Sequence, residues 1–128
     1  MTTSALLPLL LGMVGIAAAY AVYRLVLAYP EGEAKVKHIA DEIHLGAMTF
    51  MKRELSLLAI FAVVVGALLW FALGYKTAVS FFVGASASAL AGFFGMYSAT
   101  KANVRTTTAA QQGGAPAALS VAFFGGSV

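Results

Sequence analysis

The chain has 128 residues, of which 61% are hydrophobic and 10% charged, and its mean hydropathy is +0.89. A soluble domain carries about 25% charged residues, and one this short leaves too much surface exposed to hide so many apolar side chains, so the composition excludes an ordinary water-soluble fold. The net charge of +3 comes from eight scattered Lys and Arg rather than a basic stripe, which excludes nucleic acid as a partner, and the lack of Cys excludes disulfides and thiolate metal sites.

The charges divide the chain. No Lys, Arg, Asp or Glu occurs in 1–23, 55–75, 77–100 or 106–128. About 20 apolar residues in a helix cross the hydrocarbon of a bilayer, and only helices or closed barrels satisfy their backbone groups there. The pattern predicts an all-α, polytopic transmembrane helical bundle: three spans plus the start of a fourth, within a single membrane module over 1–128. Its partners are then the lipid bilayer and other transmembrane helices.

The first span is predicted over about 5–28. It has no positive residue before Arg24 and outruns a signal-peptide core, so it reads as a retained span. Arg24, beside Tyr20 and Tyr23, suits the headgroup layer as an anchor. Pro30 then stops the helix.

The next segment, about 33–54, has helical apolar spacing at Val36, Ile39, Ile43, Ala47 and Phe50. Glu33 and Lys37 stand at i,i+4 in the favourable order. An amphipathic helix is expected, packed on its neighbours and running on into the second span at about 55–73. Trp70 is an interfacial anchor near the end of that span. Gly74 offers a helix C-cap, Lys76 marks the turn, and the third span follows over about 78–99, making an antiparallel hairpin with the second.

Gly84, Ser88 and Gly92 form a small-residue row on the third span, and Gly95 lies on a second row with Ala91 and Ala99. Such rows let helix backbones approach closely in lipid. Leucine at Gly92 is expected to hold neighbouring backbones apart. Residues 101–114 are polar, end in Gln-Gln-Gly-Gly and read as a loop. The tail, 115–128, is apolar again but would reach only about 21 Å as a helix, too short to cross. It is either the start of a fourth span or a segment lying in a groove.

Seven of the eight basic residues fall on one side of this topology and only Lys76 on the other. The positive-inside rule then places the N-terminus outside and the segments 30–54 and 101–114 in the cytoplasm.

Chemistry-bearing residues are few. Asp41 with His44, and His38 with Glu42, share helical faces, but two-residue pairs fall short of a metal site, and no metal ligand is assigned. No catalytic or cofactor-binding residue is assigned either: no serine stands in a nucleophile elbow, and the glycines lack the Walker lysine pattern. No acidic residue lies within a span, so the chain alone has no intramembrane proton relay.

The stretch Ile43-His44-Leu45-Gly46-Ala47-Met48-Thr49-Phe50-Met51-Lys52-Arg53-Glu54 resembles the approach to the second span of membrane-bound, proton-pumping pyrophosphatases. Gly92-Phe93-Phe94-Gly95-Met96, followed by Ala102-Asn103-Val104-Arg105-Thr106, is similar to the end of that family's third span. Ala109-Ala110, Ala118-Leu119-Ser120-Val121-Ala122-Phe123 and Gly125-Gly126-Ser127-Val128 look like the start of its fourth. Order and spacing agree from about Ile39 to Val128, whereas the first span is similar in character only.

The resemblance implies a much longer bundle of sixteen spans, an inner ring of six around the active site and an outer ring around that. It also implies Mg²⁺-dependent pyrophosphate hydrolysis coupled to transport of H⁺ or, in some branches, Na⁺. The family's Mg²⁺-pyrophosphate motifs lie in later spans, so none is carried over to any position here. The chain would be an outer-ring scaffolding part of such a pump. The alternative is a truncated relative serving as a non-catalytic subunit of a larger membrane complex.

Overall fold

The computed structural model describes residues 3–128. They form three helices, α1 (Thr3–Leu27), α2 (Ala34–Leu73) and α3 (Tyr75–Gly126), with no strand among the described residues. Each is long and apolar enough to cross a membrane. The all-α, three-span expectation therefore holds.

α1 ends where Pro30 requires it. The Ala28 amide donates to the Arg24 carbonyl (3.2 Å) and the Tyr29 amide to that of Val26 (3.1 Å). Tyr29, preceding proline, is then pushed out of the helical region. α2 runs unbroken from the charged segment into the second span, and Gly74, at φ 90°, separates it from α3.

Two compact units are distinguishable: the chain up to Asp41 together with Ser98–Val128, and Glu42–Tyr97. The second unit is the expected antiparallel hairpin. Its inward face on α3 is Ala78, Phe81, Ala85, Ala89 and Phe93, recurring every three or four residues. On α2 it is Met51, Leu55, Ala62, Val65 and Gly66. Gly66 leaves the space that the Phe82 ring fills, since a Cβ there would overlap the ring.

Outside that seam the large apolar side chains are exposed, up to 89% for Phe71. In water each such side chain left exposed forfeits about 1.5–3 kcal/mol of burial, so the hairpin requires an apolar surround.

The apolar face expected on the first half of α2 is rotated. Val36 and Ala47 are half-buried, but Ile39, Ile43 and Phe50 are exposed. The inward positions are instead Val36, Ala40, His44, Ala47 and Met51. His44 displaces its more hydrophobic neighbour Ile43 because its ring meets Tyr97 edge-on, with centroids 5.2 Å apart. Aromatic pairs in this geometry add about 0.5–1.5 kcal/mol beyond area.

In the other unit the loop expected over 101–114 is helix. α3 continues to Gly113 and breaks at Gly114, whose φ of 69° and ψ of −165° are open only to glycine. Pro116 then stands in the first turn of a second limb, where its missing N–H costs nothing. The polar side chains that suggest a loop are accommodated within the helix instead. The Thr106 hydroxyl donates to the Ala102 carbonyl (3.0 Å) and that of Thr107 to Asn103 (3.2 Å).

The tail is the second limb, and it turns back along the first. A Cβ on Gly125 would overlap the Ala102 side chain, so the limbs touch nearly backbone to backbone. Val121 and Ala102 are buried between them.

Candidate functional site

The densest polar constellation fastens the α1–α2 connector, residues 28–33, to the first limb of α3. Its centre is Arg105, whose side chain is 6% exposed. Arg105 donates from Nε to the Tyr29 carbonyl (3.1 Å), from one terminal nitrogen to the Lys101 carbonyl (2.7 Å) and from the other to Glu31 Oε1 (2.9 Å). Lys37 Nζ lies 3.0 Å from Glu31 Oε2. The Thr108 hydroxyl donates to the Glu31 carbonyl (3.0 Å). Gly32, at φ 84°, lies so close to Thr108 that a Cβ there would overlap its hydroxyl.

Sequence and geometry explain one another. Pro30 and Gly32 turn the chain so that the carbonyls of Tyr29 and Glu31 face α3. Arg105 and Thr108, three residues apart, lie on one helical face and meet those carbonyls. A buried guanidinium needs a counter-charge and acceptors for its fixed fork of donors, and this pocket supplies both. Lys37 pairs with Glu31 rather than with Glu33, the partner its spacing suggested.

The hydrogen bond from Lys37, with the Arg105 charge beside it, holds the Glu31 carboxyl below its ordinary range, against the opposing effect of burial. A depressed carboxylate pKa contributes stability that is present above the unfolded value of about 4.3 and is lost as pH falls through the folded value. The latch is therefore expected to hold at neutral pH and to weaken in acid once the Glu31 carboxylate is protonated, below the ordinary carboxylate range. Hydrogen exchange at the Tyr29 amide across pH 3–7, corrected for intrinsic rates, reads it. Flat protection would contradict the carboxylate's role.

This latch escaped the sequence reading, because Glu31 and Arg105 are 74 residues apart. The residues that were singled out lie elsewhere. Arg24 donates to the Tyr20 hydroxyl (3.2 Å) and lies 6.0 Å from that ring's centroid. Trp70 is half exposed and tilts against Tyr75, with centroids 6.4 Å apart. Lys76 is exposed. Gly84, Ser88 and Gly92 are exposed and Gly95 half-buried. A Cβ on Gly84, Gly92 or Gly95 would meet nothing within 4 Å. Among the described residues, no group of three His, Cys, Asp or Glu could hold a metal ion. The latch itself is a clasp, with no nucleophile beside a base.

Comparison with known proteins adds what geometry alone does not. Residues 13–128 match the family described as inorganic H+ pyrophosphatase. The chain is 39% identical over 121 residues to the K(+)-insensitive pyrophosphate-energized proton pump of Methanosarcina mazei, covering 93% of this chain and 18% of that protein. It is 38% identical over 120 residues to the K(+)-stimulated pyrophosphate-energized sodium pump of Thermotoga maritima, covering 93% of this chain and 16% of that protein. It is 36% identical over 136 residues to the K(+)-insensitive pyrophosphate-energized proton pump of Pyrobaculum aerophilum, covering 100% of this chain and 19% of that protein. The chain thus spans less than a fifth of the length of these relatives. With a family match over most of its residues and three helices fit to cross a bilayer, this integral membrane chain belongs to the inorganic H+ pyrophosphatase family.

Proposed function

We propose that the chain is the N-terminal, outer-ring scaffolding part of a pyrophosphate-energised ion pump and contributes no catalytic residue of its own. The observation that carries this reading is the distribution of charge. All five acidic residues fall between Glu31 and Glu54, outside the apolar spans, while the relatives that hydrolyse pyrophosphate are more than five times longer. Magnesium pyrophosphate requires clustered carboxylates and cations, and in this reading the rest of the pump supplies them.

The chain's part is to brace: α2 and α3 form a wall, and the Arg105 latch sets the place of α1. Membranes containing the chain alone, supplied with Mg²⁺ and pyrophosphate, are expected to release no phosphate above background. Hydrolysis by the isolated chain would overturn the reading.

The scaffold stands with its N-terminus outside and with 30–54 and 101–114 in the cytoplasm, as the Lys and Arg distribution favours. The chain has no Cys, so single cysteines report topology cleanly. In intact cells an impermeant maleimide is expected to label Lys76→Cys and to spare Lys35→Cys. The opposite pattern would invert the orientation.

In this role the open row on α3 seats another helix of the pump. Gly92→Leu is expected to leave the chain's own fold intact, because a Cβ there would meet nothing within 4 Å. The same change is expected to reduce co-purification with pump helices. Unchanged co-purification would make the row filler.

A further inference from the structure

Two grooves flank the seam between α2 and α3 in the second unit, and they carry opposite charges at the same end. One is bordered on α2 by Glu54, Leu58 and Phe61 and on α3 by Ser88 and Gly92. The other, of about 500 Å³, follows Met48, Lys52, Ser56 and Ala59 along α2, with Phe93 of α3 as its far wall. Steps of three and four residues keep that strip on one face of the helix. The Ser56 hydroxyl donates to the Lys52 carbonyl (2.7 Å), so the Lys52 ammonium is the one free polar group in an otherwise apolar lining.

Lys52 is exposed, and among the described residues its ammonium has no ion pair or hydrogen bond. It lies three residues before the apolar stretch that begins at Leu55, about 4.5 Å along the axis. With the hydrocarbon beginning at Leu55, Lys52 stands inside a headgroup layer about 5–8 Å deep, while Ser56 and Ala59 lie below it. A cation at phosphate depth, opening onto an apolar groove, has the layout of a phospholipid: charge first, then acyl chain. A helix seated there would have to bring a carboxylate to Lys52 at that depth, whereas the bilayer supplies an anion at that depth itself. Glu54 repels the same headgroup from the other groove.

We propose that the Lys52 groove binds one anionic phospholipid, with its headgroup on the Lys52 ammonium and an acyl chain passing Ser56 and Ala59 against Phe93. The site is independent of the scaffolding reading: it requires only that α2 stand in a bilayer, whichever way the chain faces.

Photolabelling in native membranes tests it on the full chain. Two probes share one diazirine-bearing acyl chain and differ in headgroup, phosphatidylglycerol in one and phosphatidylcholine in the other. Peptide mass spectrometry is expected to find Ser56 and Phe93 labelled about fivefold more by phosphatidylglycerol, the preference that one lysine near the surface gives an anionic lipid. Leu58 and Phe61, beside Glu54, should show no such excess. Lys52→Gln should abolish the excess, and Arg53→Gln, at nearly the same height but lining neither groove, should leave most of it. Ser56→Trp keeps the cation but fills the groove, and should remove the label from Phe93. Equal labelling by the two probes, equal losses from the Lys52 and Arg53 changes, or an excess shared by Leu58 and Phe61 would reduce the contact to general surface attraction and overturn the site. Label persisting at Phe93 in Ser56→Trp would also overturn it. So would a strip left unlabelled while other membrane proteins are labelled, because a protein segment then covers the groove.

Discussion

Replacing Glu31 with alanine is expected to destabilise the chain more than replacing its partner Arg105 with methionine. The asymmetry follows from burial. Arg105 is 6% exposed and Glu31 32%, so losing the carboxylate strands a buried cation, whereas losing the cation leaves a carboxylate that water and Lys37 still reach. Removing one member of a buried ion pair costs about 3–5 kcal/mol. The two carbonyls that Arg105 keeps, those of Tyr29 and Lys101, lower this to about 2–3 kcal/mol. Arg105→Met loses its hydrogen bond to the Tyr29 carbonyl but fills similar volume, for about 1–2 kcal/mol.

Lys37→Ala removes only an exposed pair and should be the mildest of the three changes. Reversible unfolding in bicelles ranks the three. A larger loss from Lys37→Ala than from Glu31→Ala would mean that Arg105 is not the core of the latch. Combining Arg105→Met with Glu31→Leu should recover part of the loss, because no charge is then left unpaired.

What was legible in the sequence was set by charge and by backbone chemistry. A gap of nineteen residues between Glu54 and Gly74 without a charge can hardly be anything but a span. Pro30 and Gly74 mark helix ends because one lacks an N–H and the other adopts a positive φ. The course of 101–126 was not legible. Thr106, Thr107, Gln111 and Gln112 are polar, and polarity reads as irregularity, although a threonine can return its hydroxyl to the carbonyl four residues back and leave the helix intact. The inward face of α2 was misplaced for a related reason. Hydropathy ranks Ile43 over His44, but Tyr97 offers the histidine ring a partner. The row at Gly84, Ser88 and Gly92 is visible as a pattern, yet a Cβ on either glycine would meet nothing within 4 Å.

Gly125→Ala is expected to part the two limbs of α3, because the added methyl would stand inside the Ala102 side chain, with the Ala102 Cα only 3.7 Å away. Neither atom is the end of a flexible side chain, so rotation cannot relieve the overlap and a backbone must move. Overpacking of this kind costs about 1–3 kcal/mol. The loss should appear as faster exchange at the Val121 and Phe124 amides, while Gly66 and Ala78 in the other unit keep theirs. If the contact is the cause, Ala102→Gly in the Gly125→Ala background should restore protection, since the swap returns one methyl to the same space. Ala102→Gly alone should cost about 1 kcal/mol, through helix propensity and lost contact. A coupling of at least about 1 kcal/mol between the sites is therefore expected from the double-mutant cycle. Simple additivity would place the second limb away from Ala102 and leave residues 115–126 without the support that turns them back.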